Sequence, residues 1–144
     1  MEGFLDSTAF RVFAAVSAVL VLKMVGLAYL TGAIRGLKKQ YPNPEDVKLF
    51  KADLGEDDKV ARVKRIHLNS LENEPAFILL GLLWVLLGAD AQAMQIYAYT
   101  FLSFRVLHAI AYFFGLSPWR TIAYTVASLC LVGMSVQILM GAFA

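Results

Sequence analysis

From Thr8 to Ile34 the chain carries only two charges, Arg11 and Lys23. A helix needs roughly 20 apolar residues to cross a hydrocarbon core of about 30 Å, so this run is long enough to do so. Two more runs of the same kind lie at roughly 92–116 and 118–142. A shorter one, at roughly 74–88, reaches that length only if its helix begins earlier, in the mixed stretch from Val60 to Glu74. In lipid every backbone amide must find its partner within a helix or a closed barrel, and these runs are helical in length. The fold expected is therefore all-α: an integral membrane four-helix up-down bundle, one domain over 1–144. Its spans are roughly 8–34, 62–88, 92–116 and 118–142, and a polar loop fills 36–60. Hydrophobic residues make up 59% of the chain, against roughly 45–50% in soluble domains.

The links are short. Gly88 to Ala91 joins the second and third runs, and Gly115 to Pro118 joins the third and fourth, which makes sequential helices antiparallel neighbours. Ser117 before Pro118 reads as a helix start, with Ser as N-cap and Pro first in the helix. The N-terminus carries Glu2 and Asp6 rather than a basic segment. The apolar run behind it exceeds a leader's core of roughly 7–15 residues, so it reads as a span.

Nine of the 13 Lys and Arg fall between Arg35 and Arg65. Basic loops stay cytoplasmic, so this loop is expected in the cytosol with both termini opposite. A net charge of +2 without a basic domain suggests no nucleic-acid partner. Cys130 is the only cysteine and can form no internal disulfide. His67 and His108 are the only histidines, too few for zinc spacing, and no metal is expected. No phosphate loop, nucleophile elbow or Ser/His/Asp set is present. Nor does the chain show the inverted repeats or broken helices of a transporter.

On this topology the embedded polar residues meet in the cytoplasmic half. Arg35 ends helix one. Arg65, Asn69 and Glu72 share a face of helix two, and Arg105, His108 and Tyr112 share a face of helix three. Arg120, Thr121, Tyr124, Thr125 and Ser128 open helix four. Ionisable groups inside a span are costly and read as functional by default. Each also has a plainer reading. Arg35 can snorkel to the interface, Arg65 and Glu72 can form a structural ion pair between helices, and His108 can be a satisfied core histidine. Tyr112 and Tyr124 can belong to an aromatic belt, and Arg120 can pair with Glu45 or Asp46. Lys23 faces either a subunit interface or a buried carboxylate. Taken together, the cluster suits a small anion with several carboxylates and one ammonium, for which Glu72 is the acid. Glutathione has that chemistry.

These residues carry a family resemblance. The runs Arg65–Asn73, Asn43-Pro44-Glu45-Asp46, Arg105–Tyr112 and Arg120–Thr125, with Lys23 and Arg35 at matching spacing, resemble the superfamily of membrane-associated proteins in eicosanoid and glutathione metabolism. The likeness runs from about 20 to 140. Helix two looks like the glutathione transferase branch and helix four like the prostaglandin synthase branch. Ser70 stands where both carry aspartate, Ala61 replaces a glutamate, Leu68 is transferase-like, and Pro75 arrives one residue earlier than in the synthase.

The resemblance implies a homotrimer in the endoplasmic reticulum or another intracellular membrane (the inner membrane, in a bacterium). Glutathione, as co-substrate or cofactor, would sit between subunits on the cytosolic side. Carried over by motif, its contacts are Arg35, Arg65, Asn69, Glu72, His108, Tyr112, Arg120, Thr121 and Tyr124. Arg120 matches the arginine that faces the thiol, and Thr121 could add a hydroxyl donor. A guanidinium that keeps its proton, on the first turn of a helix, favours the thiolate, which is the nucleophile. The second substrate would be a hydrophobic small molecule arriving through membrane lipid.

The activity expected is conjugation of glutathione to hydrophobic electrophiles, with peroxidase activity on lipid hydroperoxides, a detoxifying role. The alternatives are a glutathione-dependent prostaglandin endoperoxide isomerase, using Thr121 and Asp46, and a non-enzymatic lipid-binding scaffold.

Overall fold

The computed structural model describes residues 5–143, so Glu2 lies outside the described residues. Four long helices follow one another: α1 (Thr8–Lys38), α3 (Asp58–Leu86), α4 (Ala91–Phe113) and α5 (Ser117–Ala142). The segment after α1 is more structured than the loop expected over 36–60. It holds a short helix α2 (Pro44–Phe50) between two-residue strands β1 (Gln40–Tyr41) and β2 (Asp53–Leu54), which pair in parallel. Lys39 and Lys51 end α1 and α2 in the left-handed region, both at φ 50°, and Tyr41 stacks on Phe50 at 4.9 Å.

Local chemistry sets the helix ends. Ser7, Asp57 and Asp90 cap α1, α3 and α4, accepting from the amides of Phe10, Lys59 and Ala93. The Lys59 amide also holds the half-buried Asp57 carboxyl below the usual carboxylate range, so this cap is lost only as pH falls through that lowered value. Gly88 and Gly115 take positive φ, 86° and 74°. At each, the next amide reaches back five residues, Ala89 to the Trp84 carbonyl and Leu116 to that of Ala111. This arrangement closes a helix with a glycine just beyond its end. The cap expected at Ser117 is displaced by one residue. Leu116 is the N-cap, Ser117 is already helical, and no side chain caps α5. Gly115 completes the reversal early, so Pro118 sits one position deeper in the first turn, where its missing amide still costs nothing.

The bundle is divided by chemistry along its length. Away from the β1–β2 end, Phe13, Leu20, Phe77, Trp84, Met94, Phe101 and Met134 form the apolar core. Phe77 stacks on Phe101 at 4.5 Å. Glycines let the helices approach there. A Cβ on Gly81 would come within 2.6 Å of the Phe13 ring, and one on Gly133 within 2.6 Å of Tyr97. Toward the other end polar side chains, among them Ser70, Glu74, Arg105 and His108, are buried alongside the apolar Val60, Val63 and Ile66.

The outside is apolar as well. Leu22, Leu79, Leu129, Val132 and Leu139 are all more than half exposed, beyond the apolar patches that soluble monomers tolerate. By length and composition, α1 and α5 can each cross a membrane.

Candidate functional site

Helix α3 buries Val63, Ile66, Ser70, Glu74, Phe77, Gly81 and Trp84, a three-and-four rhythm that runs through Pro75. This phase turns Ser70 and Glu74 inward. Glu74 is fully buried, and its Oε1 accepts from both Lys23 Nζ of α1 and Arg105 Nε of α4, the latter at 3.3 Å. Lys23 also donates to Ser70 Oγ at 3.0 Å. Arg105, only 1% exposed, donates its other two nitrogens to Asn69, Nη1 to the side-chain oxygen at 2.9 Å and Nη2 to the backbone carbonyl at 3.0 Å. One carboxylate thus joins three helices, and of the two alternatives for Lys23 the structure selects the buried carboxylate. Sequence reasoning left Glu74 out. Its phase with Phe77, Gly81 and Trp84 was the available signal.

Above this network lies a cleft of about 320 Å³, lined by Asn69, His108, Tyr112, Arg120, Thr121 and Tyr124, at the small end of ligand-pocket volumes. These are six of the nine residues expected to contact the ligand, supplied by three helices.

His108 Nδ1 lies 3.1 Å from the backbone carbonyl of Arg120. A carbonyl only accepts, so Nδ1 carries a hydrogen and donates it. His108 Nε2 is buried and has no partner among the described residues. The Arg120 guanidinium lies 4.7 Å above the Tyr112 ring, a cation–π geometry. Among the described residues it forms no ion pair, so the pairing with Glu45 or Asp46 is not made, and Asp46 instead accepts from Asn43 Nδ2 at 3.1 Å. Thr121 donates its hydroxyl to the Ser117 carbonyl at 3.2 Å, as does Thr125 to that of Thr121 at 3.0 Å. Arg62 Nη1 donates to the Tyr112 carbonyl at 3.3 Å and so ties the end of α4 to α3.

Three expected contacts lie outside this cleft in the single chain. Arg35 is 3.8 Å from Glu56, which also pairs with Lys64 at 2.8 Å. Arg65 lines a separate groove of about 420 Å³ with Glu56, Lys64, His67 and Leu68. Glu72 is exposed. Arg65 is exposed as well, and within the single chain neither forms an ion pair with the other among the described residues.

Fold and cleft together define a bundle of long helices, two of them able to cross a membrane by length and composition, with a small polar cleft that holds Arg120 without an ion-pair partner among the described residues. The MAPEG family model matches residues 13–140, and the chain belongs to the MAPEG family. It is similar to "Prostaglandin E synthase" of Equus caballus, 38% identical over 142 residues, which cover 94% of this chain and 91% of the relative. "Microsomal glutathione S-transferase 1" of Homo sapiens is 33% identical over 142 residues, covering 94% and 92%. "Prostaglandin E synthase" of Canis lupus familiaris is 37% identical over 140 residues, covering 94% and 91%.

Proposed function

We propose that this protein is a membrane-bound glutathione transferase that adds the glutathione thiolate to hydrophobic electrophiles. The observation that carries the reading is Arg120, a permanent cation in the first turn of α5, held over Tyr112 in the cleft without a carboxylate partner among the described residues. A thiol there loses its proton to water at the open side of the cleft. The thiolate is stabilised by the guanidinium and the positive end of the helix. Its sulfur lone pair then forms the new bond to carbon while the leaving group departs with its electron pair. Thr121 adds a hydroxyl donor once rotated off the Ser117 carbonyl. Asn69, His108, Tyr112 and Tyr124 hold the tripeptide. With a lipid hydroperoxide, two glutathiones supply two electrons, giving a disulfide, an alcohol and water.

A second reading, a glutathione-dependent endoperoxide isomerase, is favoured by the similarity to the two relatives named prostaglandin E synthase. The purified protein, assayed with glutathione against a chloronitrobenzene, cumene hydroperoxide and a prostaglandin endoperoxide, is expected to turn over the first two. Turnover of the endoperoxide alone selects the isomerase. Glutathione-independent lipid binding without turnover selects a scaffold.

We further propose that α3 and α4 cross the membrane with α1 and α5, that the cleft faces the cytosol, and that the protein is a homotrimer. Arg35, Arg65 and Glu72 lie outside the chain's own cleft, and a neighbouring subunit is the natural way to bring them to it. Glu72 would then take the ligand's ammonium and the arginines its carboxylates. Detergent-corrected mass measurement is expected to give three chains per particle, with activity lost on dissociation. A stable, active monomer would refute the shared site.

A further inference from the structure

The Lys23–Glu74–Arg105 network stands below the cleft and is hydrogen-bonded to its wall through Asn69. Two hydrogen bonds from Arg105 fix Asn69, one to its side-chain oxygen and one to its backbone carbonyl. A guanidinium has only donors, so the face of the amide that meets it must be the oxygen. The NH₂ group then projects from the opposite branch of the planar amide, away from Arg105. It makes no hydrogen bond among the described residues, while Asn69 itself lines the cleft. Arg105 is itself held, because its Nε donates to the carboxylate that also binds Lys23, and it is almost entirely buried.

We propose that Arg105, anchored by Glu74 and Lys23, is a positioning residue that fixes the polarity of Asn69. The cleft then offers two amide donors and no amide acceptor at this point, and selects a ligand carboxylate or carbonyl oxygen there. The inference rests on the glutathione reading above and specifies one contact within it. Without Arg105 the amide can turn over and present its oxygen, and a carboxylate meeting an oxygen is repelled.

Two substitutions separate positioning from support. Asn69→Asp keeps an oxygen for Arg105 and adds a charge that pairs with it, so folding is retained. It removes both donors and sets a second oxygen toward the ligand. The KM for glutathione is expected to rise about tenfold to a hundredfold, as for a lost hydrogen bond to a charged group. At position 105, Arg105→Lys keeps a donor-only cation and should hold the glutathione KM within a few-fold of wild type. Arg105→Gln can donate or accept, leaves the Asn69 amide free to turn, and should raise KM as Asn69→Asp does. Binding of glutathione by each variant, measured by calorimetry in detergent, should follow the same order.

If Asn69→Asp binds glutathione as tightly as wild type, the proposal is overturned. It is also overturned if Arg105→Lys and Arg105→Gln weaken binding equally, which marks Arg105 as support alone. Should Asn69→Asp fail to fold, the comparison of Lys with Gln at 105 decides by itself. If wild type binds no glutathione, the underlying reading fails instead, and the two failures are told apart by that first titration.

Discussion

Replacing Arg120 with alanine is expected to lower kcat/KM for conjugation by about a hundredfold or more, the loss seen when one preorganised donor to a developing anion is removed. The protein should remain folded. The Arg120 side chain makes no ion pair among the described residues. The contact that ties this residue to α4 runs from His108 to its backbone carbonyl, which alanine retains. Only the stacking on Tyr112 is lost. Lysine should restore part of the rate, because it brings charge without the planar fork. If Arg120 merely snorkels at the head of α5, both substitutions will be mild, since exposed charges contribute about 0–1 kcal/mol. Steady-state kinetics of the two variants, with thermal melts to confirm folding, decide between these outcomes.

The largest effect on stability is expected at Glu74. In a bilayer the apolar core gains little from burial itself, so helix association depends on close packing and interior polar bonds. Glu74 is bonded to cations on two other helices and is wholly buried. Glu74→Ala leaves Lys23 and Arg105 as two like charges without their shared partner. Breaking a buried pair from one side costs about 3–5 kcal/mol. Thermal denaturation in detergent should show a large drop in melting temperature, or no recoverable protein. Lys23→Met should be much milder, because it leaves Glu74 and Arg105 as a neutral pair. Adding Lys23→Met to Glu74→Ala should recover part of the loss. A Glu74→Ala protein that melts within a degree or two of wild type would show that the network carries no stability.

The sequence made the cleft legible for a topological reason. Short glycine links force antiparallel neighbours, and three-and-four spacing puts Arg105, His108 and Tyr112 on one face. Residues at the end of α4 therefore had to meet those at the start of α5. The vertical division of that cluster was harder to read. Arg105 grouped with His108 and Tyr112 by spacing, yet it points down to Glu74 while they face the cleft. Choosing between Glu72 and Glu74 required the helix phase, which is set by Phe77 and Gly81 a turn further on, where α3 meets α1 and α4. The short α2 and the β1–β2 pairing were not legible because they turn on Lys39 and Lys51 in left-handed conformations, which no lysine signals in advance. Arg35, Arg65 and Glu72 fit the pattern of a ligand site in sequence, but the fold of one chain does not carry them to the cleft.

The most direct test of the central claim is the ultraviolet absorbance of bound glutathione near neutral pH. Free glutathione is largely protonated there and a thiolate absorbs where a thiol does not. Titrating glutathione into wild-type protein is expected to produce the thiolate band in proportion to occupied sites, and Arg120→Ala at saturating glutathione is expected to show it much weakened. A wild-type protein that binds glutathione without the band, or an Arg120→Ala protein that shows it in full, would contradict the account.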